Sequence, residues 1–238
     1  EWINQYLEHA YQRGIQEIGF CEHDEYTHLV DMELVQKIQT DRLHDIVVRL
    51  GIEVDYIPGR EASIKANILS QKYDYTIGSV HFIEGWGFDH PDFQAGFAER
   101  DIDAIYGQYA ELLRQMVSSV NFDVVGHLDL VKIWGHRPQR RSALHYLEPV
   151  LQAIKKHGLA VEINSSGLRK NVAEIYPASD IVETMFAYNI PITFGSDAHH
   201  PDQIGEGLEA AYRLARQVGY RYLVRFSQHR QIITPLEY

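Results

Sequence analysis

The sequence predicts an α/β barrel, closed or nearly closed, with parallel strands joined by helices. Helix-like segments alternate with short apolar runs along the whole chain, and this alternation is typical of parallel strands joined by crossovers. The 238 residues lie close to the ~250 residues of a single α/β barrel. No Gly-x-Gly-x-x-Gly motif follows an apolar run, which disfavours an open dinucleotide-binding sheet.

Each predicted element follows from its apolar spacing and from the breaker that ends it. Seven segments with helical spacing predict helices, over residues 2–14, 31–50, 60–71, 101–120, 142–157, 178–188 and 204–218. Seven apolar runs predict strands, over residues 15–20, 51–57, 75–82, 122–128, 159–164, 190–195 and 220–226. We find no linker or change of composition, so residues 1–238 are expected to form a single domain.

Composition excludes several classes of protein. Hydrophobic residues are 45% and charged residues 23%, as in an ordinary soluble globular domain. The net charge of -11 disfavours nucleic acid and anionic membranes as partners, since both attract a basic face. The sequence lacks an 18-residue apolar run that would predict a membrane span. A single cysteine allows no internal disulfide, so we expect a cytoplasmic protein. The partner is expected to be a small molecule.

Side chains that bind metals stand at the ends of most of the predicted strands. They are His23, Glu53, His81, His127, Asp129, Asp197 and His199. Because the carboxyl ends of parallel strands meet on one face, we expect these side chains to share a pocket. Imidazole and carboxylate ligands without thiolate suit Zn, Mn or Fe(II). So large a set predicts two or three divalent metal ions, able to generate hydroxide near neutral pH and to hold a phosphoryl group.

Five short motifs resemble, in order, those of the polymerase-and-histidinol-phosphatase (PHP) superfamily. They are Cys21-Glu-His23, Gly51-Ile-Glu53, Gly78-Ser-Val-His81, Gly126-His-Leu-Asp129 and Gly195-Ser-Asp-Ala-His199. Residues 78–89 and 162–170 resemble the histidinol-phosphate phosphatase branch more specifically. The resemblance implies a distorted seven-stranded α/β barrel with a di- or trinuclear metal centre. It also implies the hydrolysis of L-histidinol phosphate to L-histidinol and phosphate in histidine biosynthesis.

The resemblance also implies a role for each ligand. Glu53 would bridge two metals, and Asp197 would bind the first of them. His81 and His127 would complete the second site, while His23 and His199 would hold a third ion. The family opens with a strand carrying Asp-x-His-x-His, which is not present before Trp2. We therefore expect the sequence to be a fragment that lacks the first strand of the barrel.

A phosphate monoester needs cationic partners besides the metals. Arg169 follows a predicted strand, and its planar guanidinium suits bidentate contact with phosphate. Lys132 follows His127 by five residues and is the second candidate. Asn164 is counted with the substrate-binding residues, and Asp89 or Glu84 is expected to bind the substrate ammonium. Asp197 is expected to exchange a proton with the leaving group. The predicted catalytic residues are Asp197, His81 and Arg169.

Two other functions stay open at this point. One is a PHP-type phosphoesterase or nuclease that acts on another phosphate ester, although the acidic net charge weighs against nucleic acid. The other is a metal-binding domain without catalytic activity. The sequence does not indicate an oligomeric state.

Overall fold

The computed structural model describes residues 2–236. Its central feature is a curled sheet of six parallel strands, β1 (Glu17–His23), β2 (Val47–Asp55), β3 (Tyr75–Ser79), β6 (Val124–Val125), β7 (Ala160–Asn164) and β8 (Ile192–Gly195), hydrogen-bonded in that order. Two antiparallel hairpins accompany it, β4 (Phe82–Ile83) with β5 (Trp86–Gly87), and β9 (Tyr222–Ser227) with β10 (Arg230–Pro235). The predicted PHP-type α/β barrel is confirmed as a half-barrel of this kind.

Seven α-helices accompany the strands in the described part of the chain. They are α1 (Trp2–Gln12), α2 (Met32–Asp41), α3 (Glu61–Leu69), α4 (Ile102–Ser119), α5 (Ala143–His157), α6 (Ser179–Ala187) and α7 (Leu208–Val218). Helix α4 begins where Asp101 accepts a hydrogen bond from the Ala104 amide, as an N-cap residue does. Among residues 2–236, no helix has the length and apolar character needed to cross a membrane.

The strand interiors form the core that aligns the strand ends. Strand β7 is buried along its whole length, as expected for a parallel strand covered by helices on its faces. The parallel register pairs His23 with Glu53, and Glu53 with Ile77. The carboxyl ends of β1, β2 and β3 therefore lie side by side at one edge of the sheet.

The predicted helix over residues 31–50 is too long, because the chain turns inside it. Helix α2 ends at Asp41, and Arg42 takes a left-handed conformation with φ 46°. His44 and Asp45 also have positive φ values, which an α-helix cannot continue. Strand β2 therefore begins at Val47, four positions before the predicted start.

The predicted strands over residues 75–82 and 220–226 also differ from the observed ones. Strand β3 ends at Ser79, and Phe82 belongs to the β4–β5 hairpin. The last predicted strand, now β9, pairs with β10 in place of joining the parallel sheet. Its tight turn uses positive φ values at Gln228 and His229, a conformation that most sequences reach through glycine or asparagine. This unusual turn chemistry hid the hairpin from sequence analysis.

Candidate metal centre

Four predicted metal ligands converge at the carboxyl end of the sheet. His23 is the last residue of β1, and Glu53 lies two residues before the end of β2. His81 and His127 each stand two residues beyond a strand, after β3 and β6. Both of these imidazoles are buried.

The donor atoms lie at distances that suit a shared cation. His127 Nε2 lies 3.2 Å from Glu53 Oε1 and 3.3 Å from His81 Nε2. The distance from His81 Nε2 to the same Glu53 oxygen is 3.8 Å. Ligands at ~2.0–2.2 Å from a tetrahedral ion lie roughly 3.3 Å from one another. Glu53, His81 and His127 therefore fit one divalent cation.

The second oxygen of Glu53 faces a different histidine. Glu53 Oε2 lies 4.0 Å from His23 Nε2. A further group of donors, formed by His23, Asp55 and His81, also brings its atoms within 4.8 Å of one another. Two oxygens facing two donor groups are the arrangement that a bridging carboxylate needs.

Asp55 belongs to the site, although sequence analysis did not select it. Its Oδ1 accepts a hydrogen bond from His81 Nδ1, so that His81 Nε2 is left to face Glu53. A carboxylate in this position orients a metal-binding imidazole and raises its basicity. The signal was present in the sequence, because Glu53 and Asp55 are two apart on one strand and so share a face.

The charges of the cluster hold one another in place. Burial alone would raise the pKa of Glu53, but the hydrogen bond with His127 and the positive charges of the histidines bring it below its usual range. Burial alone would lower the pKa of His81, but the hydrogen bond and charge of Asp55 raise it to about 10. The acidic groups of the pocket therefore favour positive charge, which a bound cation would supply.

Glu162 is a second residue that sequence analysis missed. It is buried in β7, and its Oε2 accepts hydrogen bonds from the His127 amide at 3.3 Å and from Asn164 Nδ2 at 2.9 Å. Burial is the main cause that raises the pKa of Glu162 to about 7. Gly195 on β8 leaves the space for it, since a Cβ there would lie 1.7 Å from Glu162 Oε1.

Asn164 lies next to the cluster but has its polar atoms engaged. Its amide donates to Glu162, and its Oδ1 accepts a 2.8 Å hydrogen bond from the Ser166 amide. The side chain is buried. These contacts favour a role in fixing Glu162, and substrate binding by Asn164 stays a prediction.

Asp197 stands beside the cluster in a strained turn after β8. Its φ is 47°, a left-handed value that is uncommon outside glycine and concentrates at functional sites. Ser166 Oγ donates to Asp197 Oδ2 at 3.0 Å. His199 Nδ1 lies 3.4 Å from Asp197 Oδ1, but the His199 side chain is 72% exposed. In the described residues no contact joins His199 to His23, so their shared third site stays a prediction.

The two terminal nitrogens of Arg169 differ, because one is held by hydrogen bonds and the other makes none within residues 2–236. One terminal nitrogen donates to the carbonyls of Ser196 at 2.7 Å and Asp197 at 3.0 Å. The other, Nη1, is buried without a hydrogen-bond partner in the described residues, and Glu206 Oε2 is 3.7 Å away. A buried donor without a partner costs about 1–3 kcal/mol. An oxyanion that accepts from Nη1 would remove this cost.

Lys132 is buried in an ion-pair network of its own. Its Nζ lies 2.9 Å from Asp129 Oδ2, 3.2 Å from Glu174 Oε2 and 2.7 Å from the Ile175 carbonyl. An ammonium has three protons to donate, and each already has an acceptor. This network favours a structural role for Lys132, and its contact with phosphate stays a prediction.

The segment after His81 divides between core and site. Trp86 and Phe88 are buried, and both pack edge-on against other aromatic rings. Asp89 is half-buried, and its charge helps to raise the pKa values of His81 and Tyr176. Binding of the substrate ammonium by Asp89 stays a prediction.

Known proteins are similar to this chain in sequence and in fold. The PHP domain family matches residues 2–166. This chain belongs to the PHP domain family. A relative from Deinococcus radiodurans, named probable histidinol-phosphatase, is 40% identical over 188 residues, covering 79% of this chain and 71% of that protein. The histidinol-phosphatase of Bacillus subtilis is 29% identical over 246 residues, covering 87% of this chain and 91% of that protein.

Two solved structures have the same fold. A histidinol phosphate phosphatase from Lactococcus lactis, crystallised with zinc, L-histidinol and phosphate, superimposes with a TM-score of 0.80 at 20% identity, covering 96% of this chain and 92% of that one. A putative histidinol phosphatase from Listeria monocytogenes superimposes with a TM-score of 0.75 at 21% identity, covering 87% and 93%. The predicted family and fold are thereby confirmed.

Proposed function

We propose that this PHP protein is a phosphoric monoester hydrolase that converts L-histidinol phosphate to L-histidinol and phosphate in histidine biosynthesis. The convergence of Glu53, His81 and His127 on one point carries this proposal, because it supplies the cation site that the chemistry needs. The 40% identity to a probable histidinol-phosphatase supports the choice of substrate. The enzyme uses two or three divalent ions, of Zn, Mn or Fe.

The protein side chains hold the ions and orient the phosphate. Ions bound by Glu53, His81 and His127, with His23 and Asp55 beside them, would lower the pKa of water and neutralise charge on the phosphoryl oxygens. The two carboxylate oxygens of Glu53 face different histidines, so Glu53 would help to hold two ions. No serine, cysteine or aspartate nucleophile is needed, so no phosphoenzyme is expected.

Arg169 and Asp197 act together on the transferring group. The guanidinium of Arg169 is held against the backbone of Ser196 and Asp197, and its unpartnered Nη1 donates to a phosphate oxygen. Asp197, kept in place by Ser166 Oγ, accepts or supplies the proton as the leaving oxygen departs. Asp89 binds the ammonium of the organic half of the substrate.

The setting follows from the same proposal. The partner is a small phosphate monoester, and neither nucleic acid nor a membrane is part of the reaction. We place the enzyme in the cytoplasm, where its cysteine, Cys21, stays reduced. Residues 1–238 act as one phosphoesterase domain.

Phosphate release from a panel of monoesters tests the function. The panel contains L-histidinol phosphate, 4-nitrophenyl phosphate, a sugar phosphate and a single-stranded oligonucleotide, each with added Mn or Zn. We expect kcat/KM for L-histidinol phosphate to exceed the others by at least about a hundredfold, the scale set by specific polar contacts. Equal rates across the panel, or a preference for the oligonucleotide, would refute the proposed substrate.

A further inference from the structure

A cavity borders the segments that directly follow Asp55 and His81 in the chain. Its volume is about 630 Å³, within the ~300–1,000 Å³ of small-molecule sites. One wall is residues 56–58, directly after β2, and another is residues 82–85 of the β4–β5 hairpin. One face of α4 closes it, through Gly107, Gln108, Glu111 and Leu112.

The cavity and the donor groups of the metal centre have no residue in common among residues 2–236. Asp55 and His81 face the metal centre. The next residues, Tyr56 and Phe82, line the cavity. None of the residues that line the cavity is a member of the donor groups that could bind a metal.

Gly107 leaves free space at the wall of the cavity that α4 forms, and the fold itself does not require a glycine there. It lies in the interior of α4, where glycine is less favourable than alanine. A Cβ added there would meet nothing within 4 Å, and the φ of Gly107 is not in the left-handed region. The fold would therefore accept a larger residue, and glycine instead keeps the cavity open down to the helix backbone.

Glu84 places an unpaired negative charge at this cavity. It occupies the first turn position of the β4–β5 hairpin with φ 51°, where asparagine or glycine is the usual residue. Within residues 2–236 its carboxylate has no hydrogen bond or ion pair. The other acidic residue of the lining, Glu111, already accepts hydrogen bonds from Arg114 and Gln115. The apolar walls come from Tyr56, Ile57, Pro58, Phe82, Ile83 and Leu112.

We propose that this cavity is a second ligand site, which takes a small organic cation with an apolar or aromatic body. The body fills the space between the hairpin and Gly107, and the cationic group pairs with the Glu84 carboxylate. The Gln108 side chain offers a further hydrogen bond at the same wall. This proposal goes beyond the phosphatase function and does not depend on it.

Calorimetric titration with phenethylammonium, and with neutral 2-phenylethanol as its matched control, tests the proposal. We expect saturable binding of the cation by the metal-loaded protein, and binding of the alcohol weaker by at least about fivefold, the effect of one exposed ion pair. Gly107→Leu should weaken cation binding by at least about tenfold by filling the cavity. Glu84→Gln should remove most of the preference for the cation.

The controls separate loss of the site from loss of the fold. Gly107→Leu is expected to keep or raise the melting temperature, because leucine is the better helix former, and Glu84 is an exposed residue. The absence of saturable cation binding would overturn the proposal. Binding that persists in Gly107→Leu, or that inorganic phosphate displaces, would place the ligand at the metal centre and would also overturn it. Equal affinity for the alcohol would contradict recognition through Glu84.

Discussion

Glu53 Oε1 lies 3.2 Å from His127 Nε2 although the two residues are 74 positions apart in the sequence. The contact exists because β2 and the β6 segment end at the same edge of one parallel sheet. The other oxygen of Glu53 faces His23 at 4.0 Å. A single carboxylate therefore connects the two donor groups of the proposed centre.

Loss of a ligand should abolish turnover without unfolding the protein. His81→Ala and Asp197→Asn are each expected to lower kcat for L-histidinol phosphate by at least about a hundredfold, the scale of one preorganised electrostatic group. Steady-state phosphate release measures the effect, with Asp41→Asn as the control because Asp41 is exposed and has no partner in the described residues. Rates near wild type in either variant would refute the assignment.

Asp55→Asn should act through His81. The asparagine keeps the shape but loses the charge that orients the imidazole, and removing such a partner costs about 10–100-fold in metal affinity or activity. Competition with a fluorescent chelator measures the Mn and Zn affinity, again with Asp41→Asn as the control. Unchanged metal affinity would mean that Asp55 has only a structural role.

Arg169→Lys should separate phosphate binding from metal binding. Lysine keeps the charge but not the fork that holds the Ser196 and Asp197 carbonyls and offers Nη1. We expect the inhibition constant of inorganic phosphate to rise at least about tenfold, as for a lost charge-assisted hydrogen bond. The number of bound metals should stay the same. A phosphate constant equal to that of the wild type would contradict contact with Arg169.

Two glycine substitutions should have opposite effects on stability. Gly195→Ala forces a Cβ against Glu162, and such overpacking costs about 1–3 kcal/mol of the free energy of unfolding. Gly107→Ala meets no atom within 4 Å and should gain about 0.8–1 kcal/mol from helix propensity. Urea unfolding of both variants measures the difference. Equal stability of the two would contradict the tight packing of Glu162 under the site.

The low pKa of Asp103 predicts that part of the stability of the protein depends on pH. Burial would raise its pKa, but hydrogen bonds from Tyr146, Gln139 and Arg140 lower it to about 2. The folded pKa is thus below the unfolded value of about 3.9, so the contribution is complete above that pH and is lost as the pH falls from about 4 towards 2. The melting temperature of Asp103→Asn should lie below that of the wild type at pH 6. The two should converge near pH 2, and a constant difference would contradict this account.

The sequence predicted the fold class and the convergence of ligands because both follow from strand ends that point one way. One rule was enough to predict that four side chains converge, namely that the carboxyl ends of parallel strands meet at one edge. The four are His23, Glu53, His81 and His127. The predicted end of helix 31–50 was wrong and the β9–β10 hairpin was not predicted. In both places the chain turns at residues with positive φ, such as His44 and Gln228, and no glycine marks the turn in the sequence. Lys132 could not be assigned from spacing, since its acceptors Glu174 and Ile175 come from a distant segment. Asp55 and Glu162 were readable as same-face partners of predicted site residues.

An anomalous-scattering map from crystals of the metal-loaded enzyme tests the central claim most directly. The account predicts a strong peak at about 2.0–2.2 Å from His81 Nε2, His127 Nε2 and Glu53 Oε1, and a second peak on the His23 side of Glu53. Peaks that lie elsewhere on the molecule, with these four side chains left without metal, would contradict it.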